Sequence, residues 1–172
     1  MKIYKVALVD DDDVVLTMIA LALEKLDNIE VLKFNSGEDL LEVFDSISPD
    51  ILVTDYYMDS VNKNAMRGSD LIIKLYKRYV NIPIIILSSQ DNMKLALELS
   101  RFKLADYIEK QDGFANKVCK SIEDIISIDK VNGELNSADK VMKKDYKHLL
   151  KVSLVTVIVA LISIGLTFFL AK

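Results

Sequence analysis

Four aspartates in succession, Asp10 to Asp13, follow directly on the apolar run Val6 to Val9, and a single aspartate, Asp55, closes the run Ile51-Leu52-Val53. Two further apolar runs end on groups of complementary chemistry. Ile84 to Leu87 leads into Ser88 and Ser89, and Asp106 to Ile108 leads into Glu109 and Lys110. Carboxylates are oxygen ligands for a hard divalent cation, whereas a hydroxyl and an ammonium suit the oxygens of a phosphoryl group. Brought to one edge, these residues would hold a cation and a phosphoryl group side by side.

The elements that must bring them together are legible from hydrophobic pattern. Short continuous apolar runs bounded by turn residues fit strands buried on both faces of a parallel sheet, and Pro49-Asp50 marks the entry to the Asp55 strand. Open sheets of this kind place their chemistry beyond the carboxyl ends of the strands, where all four groups fall. Ile3 to Val9, Glu30 to Phe34, Ile51 to Val53, Ile84 to Leu87 and Asp106 to Ile108 are the expected strands. Between them, Val14, Val15, Met18, Ile19, Ala22 and Leu26 recur at helical spacing; Leu40, Leu41 and Phe44 do so after a capping Ser36; Leu71, Ile72, Leu75 and Tyr79 follow Gly68. Met93, Leu95, Ala96 and Leu99 support a fourth helix, and Phe114, Val118, Ile122, Ile125 and Ile126 a fifth. The alternation predicts right-handed crossovers and an α/β fold, a doubly wound five-stranded parallel sheet covered on both faces. Tyr56 to Arg67 has no sustained period and is expected as a long loop beside the site.

A net charge of −4 argues against a nucleic-acid partner, and the lone Cys119 excludes an intrachain disulfide and is expected as a small apolar residue on a helix. The composition changes after Ile128. Asp129 to Lys140, with Asn132, Gly133, Asn136 and Ser137, is expected as a polar linker, and Lys140, Lys143, Lys144, Lys147 and Lys151 precede an uncharged run, Val152 to Ala171. As a helix such a run matches a bilayer core of about 30 Å. The expected organisation is therefore a domain over residues 1–128, a polar then basic linker over 129–151 and a C-terminal transmembrane helix over 152–171. On this reading the lysines keep the body cytoplasmic, the lipid bilayer is a partner, and small residues at Thr156, Ala160, Ser163 and Thr167 open the way to a homodimer.

Residues 1 to about 128 resemble a response-regulator receiver domain, the phosphoacceptor module of two-component signalling. The resemblance is carried by Val9-Asp10-Asp11, by Pro49-Asp50-Ile51-Leu52-Val53-Thr54-Asp55 with Met58 beyond it, by Pro83 to Ser89, and by Ala105-Asp106-Tyr107-Ile108-Glu109-Lys110. It implies a flavodoxin-like sheet of order 2-1-3-4-5. It further implies Asp55 as phosphoacceptor and Mg²⁺ as cofactor, held by Asp10, Asp11, Asp55 and the backbone carbonyl of Tyr57. Ser88 and Lys110 would contact the phosphoryl group, with Ser88 and Tyr107 as switch residues. The implied partners are a histidine kinase or phosphotransfer protein and a downstream protein that reads the phosphorylated state. Lys110 is expected to act on that state and to leave the unphosphorylated fold largely untouched.

Two departures from the family pattern stand out. Asp59 follows Met58 in place of the usual Pro, with additional residues before Met66-Arg67-Gly68, and Gln111 replaces the proline that commonly follows the lysine. A pseudo-receiver or membrane scaffold without regulated phosphotransfer is the alternative reading. Asp55 is expected to gain and lose its own phosphoryl group, with no turnover of an external substrate.

Overall fold

A computed structural model describes residues 2–58, 66–78, 81–89 and 104–170 of the chain, with side chains as far as Lys147. The first of two compact units, Met1–Ile126, holds the sheet. Strands β1 (Tyr4–Val9), β2 (Ile29–Phe34), β3 (Ile51–Asp55), β4 (Ile84–Ser88) and β5 (Leu104–Glu109) pair in parallel in the order β2-β1-β3-β4-β5. Helices α1 (Asp13–Leu23), α2 (Gly37–Ile47) and α3 (Gly68–Lys77) alternate with the first four strands, and α4 (Phe114–Leu170) follows the last. The flavodoxin-like order is that of the expected fold. The fourth helix anticipated around Met93 to Leu99, and the loop residues 59–65, lie outside the described residues.

The two faces of the sheet carry separate cores, which is why the central strands read as unbroken apolar runs rather than alternating ones. Tyr4, Val6 and Leu8 of β1, Ile51 and Val53 of β3, and Ile85 and Leu87 of β4 join Leu16, Ile19 and Leu23 of α1 and Phe114, Val118, Ile122 and Ile126 of α4. On the opposite face Ala7, Val9, Leu52, Ile84 and Ile86 meet Leu40 and Phe44 of α2 and Leu71, Ile72 and Leu75 of α3. Cys119 lies on a helix, α4, as expected, but is half-buried and not buried. Asp12 caps α1 by accepting the Val14 amide at 2.8 Å, and Ser36 caps α2 by accepting the Asp39 amide at 3.1 Å.

The buried face of α1 differs from the expected one. Leu16, Ile19, Ala22 and Leu23 point inward, while Val14 and Met18 are exposed. Val14, Val15 and Leu16 are consecutive apolar residues, so periodicity permits two phases, and the packing of Leu16, Ile19 and Leu23 with β1, β3 and α4 realises the second.

The C-terminal expectation requires a larger correction. Residues 129–140, read as a linker, are helical, because α4 runs from Phe114 to Leu170 as one element. Among the described residues no helix is long and apolar enough to cross a membrane. The described side chains of α4 beyond Ile126 include Asp129, Lys130, Glu134, Asp139, Lys140, Lys143, Lys144, Asp145 and Lys147, a density of charge incompatible with hydrocarbon. The side chains of residues 148–172, on which the anchor was placed, lie outside those described. The transmembrane helix, the lipid bilayer as partner, the single-pass membrane location and the small-residue seam within the span are accordingly withdrawn.

The inward phase of α1 yields a direct test. Leu16→Ala should destabilise the chain by about 2–5 kcal/mol, as for a fully buried leucine, whereas Val14→Ala should stay within about 0.5 kcal/mol. Denaturant unfolding of both variants measures the difference.

Candidate functional site

The parallel sheet delivers its strand ends to one edge. Asp10 follows β1, Asp55 ends β3, Ser88 ends β4 and Lys110 follows β5. Because β1 and β3 are hydrogen-bonded neighbours, with Val9 opposite Thr54, the carboxylates of Asp10 and Asp55 are brought together from positions far apart in sequence. One carboxylate oxygen from each of Asp10, Asp11 and Asp55 lies within 4.8 Å of the others. Asp10 and Asp55 are buried, and Asp11 is half-buried.

Lys110 reaches this cluster from across β4. Its ammonium stands 2.7 Å from Asp10 Oδ2 and 3.0 Å from Asp55 Oδ1. Among the described residues those two buried oxygens have no other polar partner. The Lys110 amide donates to the Ser88 carbonyl at 2.7 Å, which fixes the start of the long side chain above the end of β4. The Lys110–Gln111 peptide bond is trans, so the proline missing from this position is not replaced by a cis bond.

Burial dominates the electrostatics. It pushes the Asp55 carboxyl up to about 6; the Lys110 ammonium pulls it back, and Asp10 and Asp11 add repulsion. Burial also raises Asp10, against the Lys110 ion pair and the Asp12 amide. For Lys110 burial alone would lower the value, but its bonds to Asp10 and Asp55 outweigh that cost and leave it raised. Three carboxylates facing one ammonium leave a surplus of negative charge and a set of oxygen donors, the donor chemistry that a hard divalent cation requires.

The remaining expected residues are less tightly drawn in. Ser88 is fully buried at the end of β4, one residue beyond Leu87, the register partner of Asp55. Tyr57 is half-buried two residues past Asp55, its ring edge-on to Tyr56 at 4.5 Å and 5.9 Å from the Arg67 guanidinium carbon. Tyr107 is half-buried on β5 and packs on the α2/α3 face of the sheet, not on the face that carries Ile108. Asp12 and Asp13 serve structure instead: Asp12 caps α1, and Asp13 accepts the Asn35 side-chain amide at 2.6 Å.

Two residues escaped the sequence reading. A Cβ at Gly68 would be driven into the Asp55 carbonyl oxygen, so only glycine lets the start of α3 lie against the end of β3, where its amide donates to the Tyr56 carbonyl at 3.0 Å. Glu38, at the start of α2, accepts the Met66 amide at 3.1 Å and ties down the chain just ahead of Gly68. A glycine directly after Arg67 at a helix start was the available signal for the first. Nothing local announced the second, whose partner lies 28 positions away.

Comparison with known proteins is consistent with this geometry. Residues 6–122 match the response regulator receiver domain. The chain belongs to that family. Among solved structures, the receiver domain of the Francisella response regulator 1452 is 25% identical, with a TM-score of 0.60 over 70% of this chain and 93% of that one. A response regulator receiver domain protein from Clostridium thermocellum is 24% identical, with a TM-score of 0.62 over 75% and 98% respectively. A protein-glutamate methylesterase/protein-glutamine glutaminase from Treponema denticola is 23% identical over 126 residues. Those residues make up 72% of this chain but only 32% of that protein, so the chain spans about a third of the length of the curated relative it matches.

Lys110 is engaged by both buried carboxylates, so its removal should bear on the fold itself. Lys110→Met leaves two buried carboxylates without their counter-charge and should destabilise the metal-free chain at neutral pH, by up to about 3–5 kcal/mol. Asp55→Asn should act in the opposite direction. Its carboxyl is raised from 3.8 to about 6 on folding, so the folded chain holds the extra proton between those values and loses stability as pH rises through about 6. Unfolding midpoints in chelator should show Asp55→Asn more stable than wild type at pH 7.5, with the gap narrowing steadily as pH falls from about 6 towards 3.8.

Proposed function

We propose that the chain is a phosphoreceiver in which Asp55 accepts a phosphoryl group from a histidine kinase or phosphotransfer protein and passes the signal on by contact with a downstream protein. The observation that carries this reading is the meeting of Asp10, Asp11, Asp55 and Lys110 at one sheet edge in a chain of the receiver family. In the transfer, a carboxylate oxygen of Asp55 forms the new O–P bond as the P–N bond to the donor imidazole breaks, and the imidazole leaves with the electron pair. The product is an acyl phosphate. It is lost later to water, which regenerates the carboxylate and releases inorganic phosphate.

Each residue has a task in that reaction. Asp55 must be ionised to attack, and with a value near 6 it is so at neutral pH. Lys110 already contacts Asp55, and its ammonium can pair with phosphoryl oxygens as it leaves the carboxylate. Ser88, buried at the neighbouring strand end, supplies a hydroxyl to the same group. Asp10, Asp11, Asp55 and the Tyr57 carbonyl would hold Mg²⁺. When bound, that ion supplies positive charge to the phosphoryl oxygens and offsets the surplus of carboxylate. Tyr107, on β5 beside the strand that bears Ser88, is the proposed relay to the protein surface. The domain organisation proposed is a receiver over 1–128 followed by the remainder of the long helix.

The test is intact-mass measurement of the full chain incubated with a small-molecule phosphodonor and Mg²⁺. One phosphoryl group should be added, absent in Asp55→Ala and in chelator. An unchanged mass in chain shown to be folded would favour the pseudo-receiver, a scaffold that recruits partners without phosphotransfer.

A further inference from the structure

Beyond Ile126 the helix α4 enters the second unit, Ser127–Lys172, and every side chain described there, from Ser127 to Lys147, is exposed. Its composition is poor for an unsupported helix. Asn132, Gly133, Asn136 and Ser137 fall within two turns, and a Cβ at Gly133 would meet nothing within 4 Å, so the glycine is not there to admit a neighbour. Lys143 pairs with Asp139 at 2.8 Å, an exposed contact worth about 0.3–0.5 kcal/mol. Isolated helices are marginal even with good formers, and most helical stability comes from packing of an apolar stripe.

Such a stripe is present. Ile128, Val131, Leu135, Ala138 and Met142 recur at alternating steps of three and four, the a and d positions of a two-stranded coiled coil. Four of them are large and exposed: Ile128 62%, Val131 54%, Leu135 63% and Met142 65%. Val141 and Tyr146, also exposed, flank Met142. Six side chains of this size offer on the order of 600 Å² per helix, so two copies reach the roughly 1,200 Å² at which specific interfaces begin.

We infer that residues 128–146 form a parallel, in-register coiled coil with a second copy of this chain. A second copy is the occupant whose stripe matches in spacing and length by construction. In-register parallel pairing sets Ile128, Val131, Leu135, Ala138 and Met142 each against its own counterpart, five apolar layers in all. The antiparallel register that keeps Met142 opposite Val131 sets Ile128 against Asp145 and keeps four apolar layers; parallel pairing keeps five, with Asp145 meeting its counterpart only beyond the last of them. Parallel pairing does place Glu134 near Asp139 of the partner copy. Repulsion between exposed charges of that kind costs a few tenths of a kcal/mol, less than one apolar layer contributes. The stripe lies wholly outside the phosphoacceptor site, so the inference stands apart from the phosphotransfer reading.

Site-directed cross-linking in cells making the full chain tests it. In a Cys119→Ser background, Leu135→Cys should form a disulfide-linked dimer on mild oxidation, at least about ten-fold more abundant than the dimer from Asn136→Cys on the outer face. Equal yields at the two positions, or none at Leu135, would overturn the proposal. Two differently tagged full-length copies give a readout that needs no oxidation. They should be captured together, and capture should fall at least about ten-fold with Leu135→Asp but not with Asn136→Asp. Capture that survives Leu135→Asp would place the interface elsewhere and overturn this one.

Discussion

Two buried carboxylates held on one ammonium, Asp10 and Asp55 on Lys110 at 2.7 and 3.0 Å, set the terms for the rest of the receiver unit. Neither carboxylate can stay ionised in that interior without the lysine or a cation, and the lysine is stable there only because both carboxylates face it. The sheet order makes the contact possible. β4 lies between the strand of Asp55 and the strand of Lys110, so the lysine must span about two strand spacings, roughly 10 Å from backbone to backbone. Few side chains other than a fully extended lysine or arginine can do so. Anchoring its amide on the Ser88 carbonyl starts it from the right place.

The same interaction links resting structure to chemistry. On the proposed function, a phosphoryl group on Asp55 would bring negative charge to the spot where Lys110 already points, and transfer would exchange a carboxylate partner for phosphoryl oxygens. Ser88 ends the strand that the lysine crosses, and Tyr107, the register partner of Ile86, sits on the strand that Lys110 follows. Gly68 packs the start of α3 against the Asp55 carbonyl, and Glu38 ties down the chain just ahead of it.

The residues that carry this site were legible because their signal is positional. A carboxylate or an ammonium directly after an apolar run sits at a strand end, and a parallel sheet gathers strand ends at one edge. That logic located Asp10, Asp55, Ser88 and Lys110 and the sheet around them. It failed where the signal was phase or partnership. Val14 and Leu16 are both apolar, and only packing against the sheet distinguishes the one that faces the core. Glu38 finds Met66 through the fold, with nothing local to announce it. Asn132 and Gly133 read as a helix stop by propensity, yet the chain is helical through them, and the stripe from Ile128 to Met142 is the feature that local propensity ignores. Treating that stretch as a linker isolated the apolar residues beyond it and turned them into a separate membrane element, which the structure does not support.

Asp55 and Lys110 form a buried pair in which each sets the other's charge state. That dependence is measured by titrating the side-chain carboxyl carbon of Asp55 by NMR in the metal-free chain. The midpoint should lie near 6, well above the ordinary 3.8, rise further in Lys110→Met and fall when Mg²⁺ is added. A midpoint near 4 that is indifferent to Lys110→Met would contradict it, since it would mean a solvated carboxylate with no dependence on the lysine.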